Sequence, residues 1–224
     1  MSSIAVIVPV KGSDPKSRLG VLLNQPIRKQ LVVSMLEDVL GAIAKAKLVR
    51  DTLVVSTDAE ILKFAERYGA KSINEDQERG VNGAADIAMR EARDYSACMI
   101  LPADLPFIRA RDIRNAITLY RLGASVVISP SEAYDGTNML LIRRGVNLRL
   151  HYDDDSFHKH TREALKNAIP LAYYYSETVA FDLDRATDVY RALRMGRRCT
   201  TITFLARIMR RRAGLKTQMR ADER

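Results

Sequence analysis

Seven consecutive residues near the start of the chain, Ile4–Val10 (IAVIVPV), contain no polar side chain. A run this short, apolar on both alternating faces and rich in β-branched residues, reads as a strand covered on both sides. That reading calls for a helix layer on each face of a sheet, and the chain through about residue 130 supplies both. Pro26 opens a helical stretch in which Ile27, Leu31, Val32, Met35, Leu36, Val39 and Leu40 repeat in helical phase. Thr52–Thr57 reads as a second strand, and Asp58 as the cap of a helix reaching about Tyr68. A short strand at Ala70–Ile73, a helix at Asn82–Arg93, a central strand at Ala97–Leu101, a helix at Arg109–Leu122 and a strand at Ala124–Ser129 follow. Alternation of this kind predicts an α/β fold with a mostly parallel central sheet.

After residue 130 the order changes. Asn138–Arg143 reads as an edge strand running antiparallel, and the polar stretch His151–His160 leads into a helix. Leu171–Tyr175 and Val179–Leu183 read as strands, and helices at about Arg185–Arg194 and Thr201–Arg212 follow. No linker divides the chain, so residues 1–200 are expected to form one domain, with residues 201–224 a basic helix and tail.

The 224 residues carry a net charge of +9 and are 47% hydrophobic, enough for a full-sized core. The charge excess has one location. Residues 191–224 hold 11 Lys and Arg against 2 Asp and Glu, which leaves 25 of each sign in residues 1–190. A nucleic-acid partner would have to rest on the tail alone, and none is expected. The amphipathic face Ile202, Leu205, Ile208 and Met209 favours packing on the body or a dimer contact. No run approaches the ~18 apolar residues of a membrane span. Cys98 and Cys199 show neither metal nor disulfide spacing, which suits a reducing cytoplasm.

Three stretches carry chemistry. Lys11, Gly12, Lys16 and Arg18 follow the first strand, and ligands of parallel sheets bind beyond the carboxyl ends of the strands. Three cations and exposed backbone amides there suit a triphosphate, although the spacing is not that of a P-loop, and a solvated basic loop is the plainer alternative. Asp104 ends an apolar strand between Pro102 and Pro106, which fix the direction of its carboxylate; it reads as a magnesium ligand or as a helix cap. In Phe181-Asp182-Leu183-Asp184 a strand would place both aspartates on one face, where they repel unless a cation lies between them; Asp184 is alternatively a cap for the next helix. Together with Asp104 they make a three-carboxylate magnesium site.

Weaker signals surround these. Gly80-Val81-Asn82-Gly83 reads as a turn that opens a helix and suits either a nucleobase or structure alone. Gly136-Thr137-Asn138 is able to donate to an acceptor phosphate or carboxylate, or is only a turn. His151, His158 and His160 lie near Asp153, Asp154 and Asp155 without compact zinc spacing, which favours an anion-binding or surface segment. Tyr173-Tyr174-Tyr175 reads as strand rather than as a base-stacking platform.

The combination of VIVPVKG–KSRLG, GVNGAA, LPADLP, DGTN, SFHKH and FDLD resembles the 2-phospho-L-lactate guanylyltransferase family of coenzyme F-420 biosynthesis, from about Ile4 to Asp188. The resemblance implies a Rossmann-like nucleotidyltransferase fold, GTP as donor, 2-phospho-L-lactate as acceptor, and lactyl diphosphoguanosine with pyrophosphate as products. It implies triphosphate binding by Lys11, Lys16 and Arg18, with Val10, Gly12, Pro102 and Ala103 completing the nucleotide site and Gly80, Asn82 and Gly83 holding guanine. It implies Mg2+ on Asp104, Asp182 and Asp184, and acceptor contacts from Thr137, Asn138, Ser156 and His160. A homodimer and hand-off of the product to a downstream transferase belong to the same expectation. Phosphoenolpyruvate or 3-phosphoglycerate as acceptor, or a metal-dependent glycosyltransferase activity, are the alternatives.

Overall fold

The computed structural model describes residues 3–222, with side chains described through residue 212. Strand β1 (Ile4–Pro9) is flanked by β2 (Asp51–Ser56) and β4 (Ala97–Ile100), both parallel to it, and β2 pairs in parallel with β3 (Lys71–Asn74). The sheet continues through β6 (Thr137–Arg143), β5 (Val126–Pro130) and β7 (Leu171–Tyr173), giving seven strands in the order β3-β2-β1-β4-β6-β5-β7. Only β6 runs antiparallel to its neighbours.

Alternation along the strands sorts side chains into two cores. Ile4, Val6, Val8 and Met99 face a layer built from α1 (Gln25–Ala46), α4 (Ala110–Arg121) and the start of α8 (Thr200–Asp222). Ala5, Ile7, Cys98 and Ile100 face the layer of α3 (Gly80–Glu91) and α5 (Ser156–Lys166). Period-two burial on both faces is what a doubly covered sheet requires. The predicted starts hold: Asn24 caps α1 ahead of Pro26, and Asp58 Oδ1 accepts from the amides of Glu60 and Ile61 to open α2 (Ala59–Glu66).

Three expectations are corrected. The segment read as an edge strand, Asn138–Arg143, lies inside the sheet between β4 and β5; its Met139–Ile142 run is buried throughout, and an edge would have left it half bare. Val179–Leu183 is not a strand. Its first residues close the short helix α6 (Glu177–Ala180), and the rest runs without ladder partners into α7 (Ala186–Arg194). The Gly80–Gly83 stretch is the first turn of α3 rather than a turn ahead of it, with Gly80 at φ +68°, a conformation that glycine adopts without strain.

The strand order places a switch point between β1 and β4, since connections leave to β2 and β3 on one side and to β4 on the other. The loops after these two strands carry Lys11–Arg18 and Pro102–Asp104. The charged end of the chain is tied down at its start. Asp38 of α1 accepts from the amides of Thr200 and Thr201, while Thr201, Phe204, Leu205 and Ile208 are buried against the body. Leu205→Ala should therefore lower unfolding stability by about 2–5 kcal/mol, read from urea midpoints at constant slope; an unchanged midpoint would mean that the helix is dispensable to the core.

Candidate active site

A cleft of about 360 Å³ opens at the switch point. Its walls include Val10, Lys11, Lys16 and Arg18 from the first loop, Pro102, Ala103 and Asp104 from the second, and Asp184. Val32 and Met35 of α1 and Val81 of α3 supply apolar surface. The first loop is shaped by two devices. Arg28, buried in α1, donates from Nε to the Pro15 carbonyl and from Nη1 to the Leu23 carbonyl, and pairs with Asp14. Gly12 lies against the β2–α2 junction so closely that a Cβ would come 2.4 Å from Thr57 Oγ1. Gly12 thus serves close packing and does not line the cleft.

Lys16 is the centre. Its backbone is left-handed, φ +55°, a conformation that strains a non-glycine residue. Its ammonium, with the side chain only 11% exposed, lies 2.8 Å from Asp104 Oδ2 and 3.3 Å from Asp184 Oδ1. Burial works against that charge, but the two carboxylates outweigh it and hold the ammonium above its ordinary range. Arg18 reaches the other oxygen of Asp184 at 2.6 Å. Burial raises the affinity of Asp184 for a proton, and Lys16 and Arg18 together pull it below the usual carboxylate range. Neither aspartate caps a helix: Asp112 completes the start of α4, and Asp188 that of α7.

Asp182 differs. Burial first, and the charge of Asp104 second, push its carboxyl up to about 6, despite Lys16 nearby. The segment that carries it is extended, so Phe181 and Leu183 point into the core while the two acids turn toward Lys16 and Asp104. The Leu183 amide donates to the Asp104 carbonyl at 3.0 Å and ties the two acid-bearing segments together. Among the described residues, no three acidic, histidine or cysteine side chains stand close enough together to form a metal-ligand group. The expected three-carboxylate arrangement of Asp104, Asp182 and Asp184 is therefore not formed; what remains is Asp104 with the half-buried Asp182, whose carboxylate is not directly paired to a cation. That suits a hard cation which keeps most of its waters and takes one or two carboxylates.

The residues proposed for the guanine and acceptor positions have other neighbours. Asn82 accepts from the Tyr152 amide at 2.8 Å and anchors the 151–155 loop to α3, Gly83 lies under the Arg79 side chain, and of that turn only Val81 lines the cleft. Thr137, Ser156 and His160 come together as a buried cluster. His160 Nε2 accepts from the His151 amide at 2.8 Å, so its proton is on Nδ1, which donates to Thr137 Oγ1 at 2.9 Å. The Ser156 hydroxyl also donates to Thr137 Oγ1, at 3.3 Å, which leaves the Thr137 hydroxyl proton free to donate. Asn138 spends both Nδ2 protons on the carbonyls of Val179 and Ala180, at 2.8 and 3.1 Å, and so fixes the start of the Asp182 segment. Of the nearby acids, Asp153 pairs with Lys159 and Asp155 with His158.

Sequence reasoning missed Arg28, although its position in phase with Leu31, Val32 and Met35 marks it as inward-facing. It also missed Glu78, which receives the Ser13 amide and hydroxyl and lies 3.6 Å from Lys11, since no local pattern links residues so far apart.

A cation-lined cleft at the switch point of a sheet with this order, beside a set of aspartates, suits nucleotidyl transfer, and similarity to known proteins gives that class. A nucleotidyl transferase from Methanothermobacter thermautotrophicus shares the fold, with a TM-score of 0.67 over 87% of this chain and 99% of that one at 15% identity. The chain belongs to the family described as guanylyl transferase CofC like, which it matches over residues 4–218. It is 33% identical to the 2-phospho-L-lactate guanylyltransferase of Methanothermobacter thermautotrophicus, across 84% of this chain and 83% of that protein. It is 36% identical to the phosphoenolpyruvate guanylyltransferase of Rubrobacter xylanophilus, across 84% and 93%. It is 31% identical to the 3-phospho-D-glycerate guanylyltransferase of Phenylobacterium zucineum, across 88% and 94%.

The histidine gives a pH test. Burial holds His160 down at about 4, against 6.5 for a free imidazole. The stability that the neutral ring confers is complete above about pH 6.5 and is lost as pH falls through about 4, a change on the order of 3 kcal/mol. His160→Gln should start less stable at pH 7 but lack this part of the acid slope. Parallel urea midpoints between pH 7.5 and 4 for the two proteins check it; equal slopes would contradict the assignment.

Proposed function

We propose that the protein transfers GMP from GTP to 2-phospho-L-lactate, forming lactyl diphosphoguanosine and releasing pyrophosphate. The observation that carries the reading is the Lys16 ammonium held between Asp104 and Asp184 at the mouth of the switch-point cleft, in a chain of the guanylyl transferase family. An oxygen of the acceptor phosphate forms a bond to the α-phosphorus of GTP while the bond from that phosphorus to the β-phosphate bridging oxygen breaks. The acceptor phosphate is largely ionised near pH 7, so no strong general base is needed. Catalysis is then positioning and charge stabilisation.

Lys16, Arg18 and Lys11 exchange their carboxylate partners for phosphate oxygens of the donor and meet the charge that grows on the departing pyrophosphate. Mg2+, bound through Asp104 and Asp182 with Asp184 alongside, would supply Lewis-acid stabilisation of the α-phosphate. Val10, Pro102, Ala103 and Val81 form the apolar wall for the nucleoside, and Asn82, Gly80 and Gly83 set the position of that wall. The Thr137 hydroxyl, oriented by His160 and Ser156, is the donor offered to the acceptor. Asn138 acts on the reaction through the Asp182 segment rather than by contact.

The same frame accommodates phosphoenolpyruvate or 3-phosphoglycerate as acceptor, the reading that relatives of comparable identity favour. A cytoplasmic setting fits the free thiols of Cys98 and Cys199, which burial keeps protonated and unreactive. Homodimerisation and product hand-off complete the proposal, and light scattering of the purified chain tests the first. Among the described residues no helix is long and apolar enough to cross a membrane.

The decisive assay is pyrophosphate release with GTP, Mg2+ and each of the three acceptors. Release with 2-phospho-L-lactate, greater with GTP than with ATP or CTP, is the expected result, and release with another acceptor alone would rename the substrate. Asp104→Asn should lower kcat by on the order of 10²–10³, and undiminished turnover would remove Asp104 from the mechanism. No release with any acceptor, together with turnover of a nucleotide sugar, would replace the proposal with a glycosyltransferase.

A further inference from the structure

A second concavity, of about 720 Å³, lies apart from the cleft and shares no residue with it. Arg109 and Arg111 at the start of α4 and Arg197 after α7 converge on it, with Tyr174 and Ser176 between them. Among the described residues Arg109 and Arg111 form no ion pair, and the nearest acid to Arg197 is the largely exposed Glu177, at 3.8 Å, beyond hydrogen-bond reach. Arg197 is nonetheless held in place: its guanidinium lies 5.0 Å over the Phe107 ring, and Nη1 is fully buried with no hydrogen-bond partner. Cation–π contact fixes the group while leaving its donor capacity unspent.

The walls are rigid for a separate reason. The carboxylate of Asp112, wholly buried, accepts from the hydroxyls of Tyr174 (2.8 Å), Ser176 (2.9 Å) and Thr178 (2.7 Å) and from the Arg109 amide (2.8 Å). That one carboxylate sets Arg109 against the 174–178 segment, and its charge is consumed by its own donors. Three arginines lining a hollow, with one exposed acid on the rim, leave an uncompensated positive field focused in a concavity. Planar guanidinium forks match phosphate oxygens in pairs, and three of them exceed the need of a single carboxylate.

We propose that this concavity is a second anion site, for a small molecule bearing a multiply charged phosphate group. Its lining residues Arg109 and Thr178 respectively follow Asp104 and precede Asp182 by a few positions, so its walls are continuous in the chain with both acid-bearing segments while sharing no residue with the cleft.

Pyrophosphate is the probe, titrated calorimetrically into the full chain at fixed ionic strength without metal. Two binding events per chain are expected in the wild type. Lys16→Ala should remove one, and Arg109→Ala/Arg111→Ala should weaken the other at least tenfold while leaving the first in place. Both arginines of the double variant are exposed, so its folding is not at stake; Arg197→Gln, checked by its thermal midpoint, should have the same effect. A single event in the wild type that Lys16→Ala abolishes overturns the proposal, as does a second event indifferent to all three arginines. A single event that survives Lys16→Ala and is lost with the arginines would uphold this site and count against the cleft.

Discussion

Everything at the cleft depends on one ammonium. Lys16, Asp104 and Asp184 come from three distant parts of the chain, and the Lys16 Nζ is where they meet. Removing two carboxylates and an ammonium from water is costly, and such a cluster adds little net stability compared with apolar packing. Its value is in position. The left-handed backbone at Lys16, the prolines around Asp104 and the Leu183-to-Asp104 backbone bond each constrain one arm, so the three charges hold a single arrangement. A site of this kind stores its electrostatic work in advance: the cation is already desolvated and held in one position before any anion competes for it. Asp182 is the counterpart, a carboxyl pushed up to about 6 by burial first and by the charge of Asp104 second, against the pull of Lys16.

How much of this was legible in the sequence follows from the range of each interaction. β1, the Pro26 opening of α1, the Asp58 cap and the bracketed Asp104 are encoded within a few residues, and each was readable. The alternation of acids in Asp182 and Asp184 was readable too, although for a different reason from the one given: the segment is extended without being a strand, and side chains alternate in any extended backbone. Central placement of β6 was not readable, because a four-residue apolar run, Met139–Ile142, flanked by polar residues looks the same at an edge or in the middle of a sheet. Asp112 shows the same limit. As a sequence it is one acid in the first turn of a helix, and only the fold brings three hydroxyls from 62 to 66 residues away onto it.

Asn138 and His160 illustrate a further limit. Residue type suggests direct contact with an anionic acceptor, whereas the structure gives Asn138 two carbonyls and His160 an amide and a hydroxyl. A neutral, buried imidazole has no charge to offer. Its contribution is to fix which way the Thr137 hydroxyl points.

On the proposed reaction, acceptor choice would turn on hydrogen bonding more than on charge. The three acceptors of the relatives all bring a carboxylate and a phosphate, so the cations of the cleft meet the same demand in every case. They differ by a methyl, a methylene or a hydroxyl next to those groups. Pockets separate such differences weakly when the contact is apolar and strongly when a buried donor or acceptor is left unpaired by the wrong ligand. Within the cluster of Thr137, Ser156 and His160, the buried donor with an unspent proton is the Thr137 hydroxyl, and the bonds that orient it come from Ser156 and His160. On the proposed reaction, discrimination among acceptors would fall most heavily on a ligand oxygen within reach of that hydroxyl.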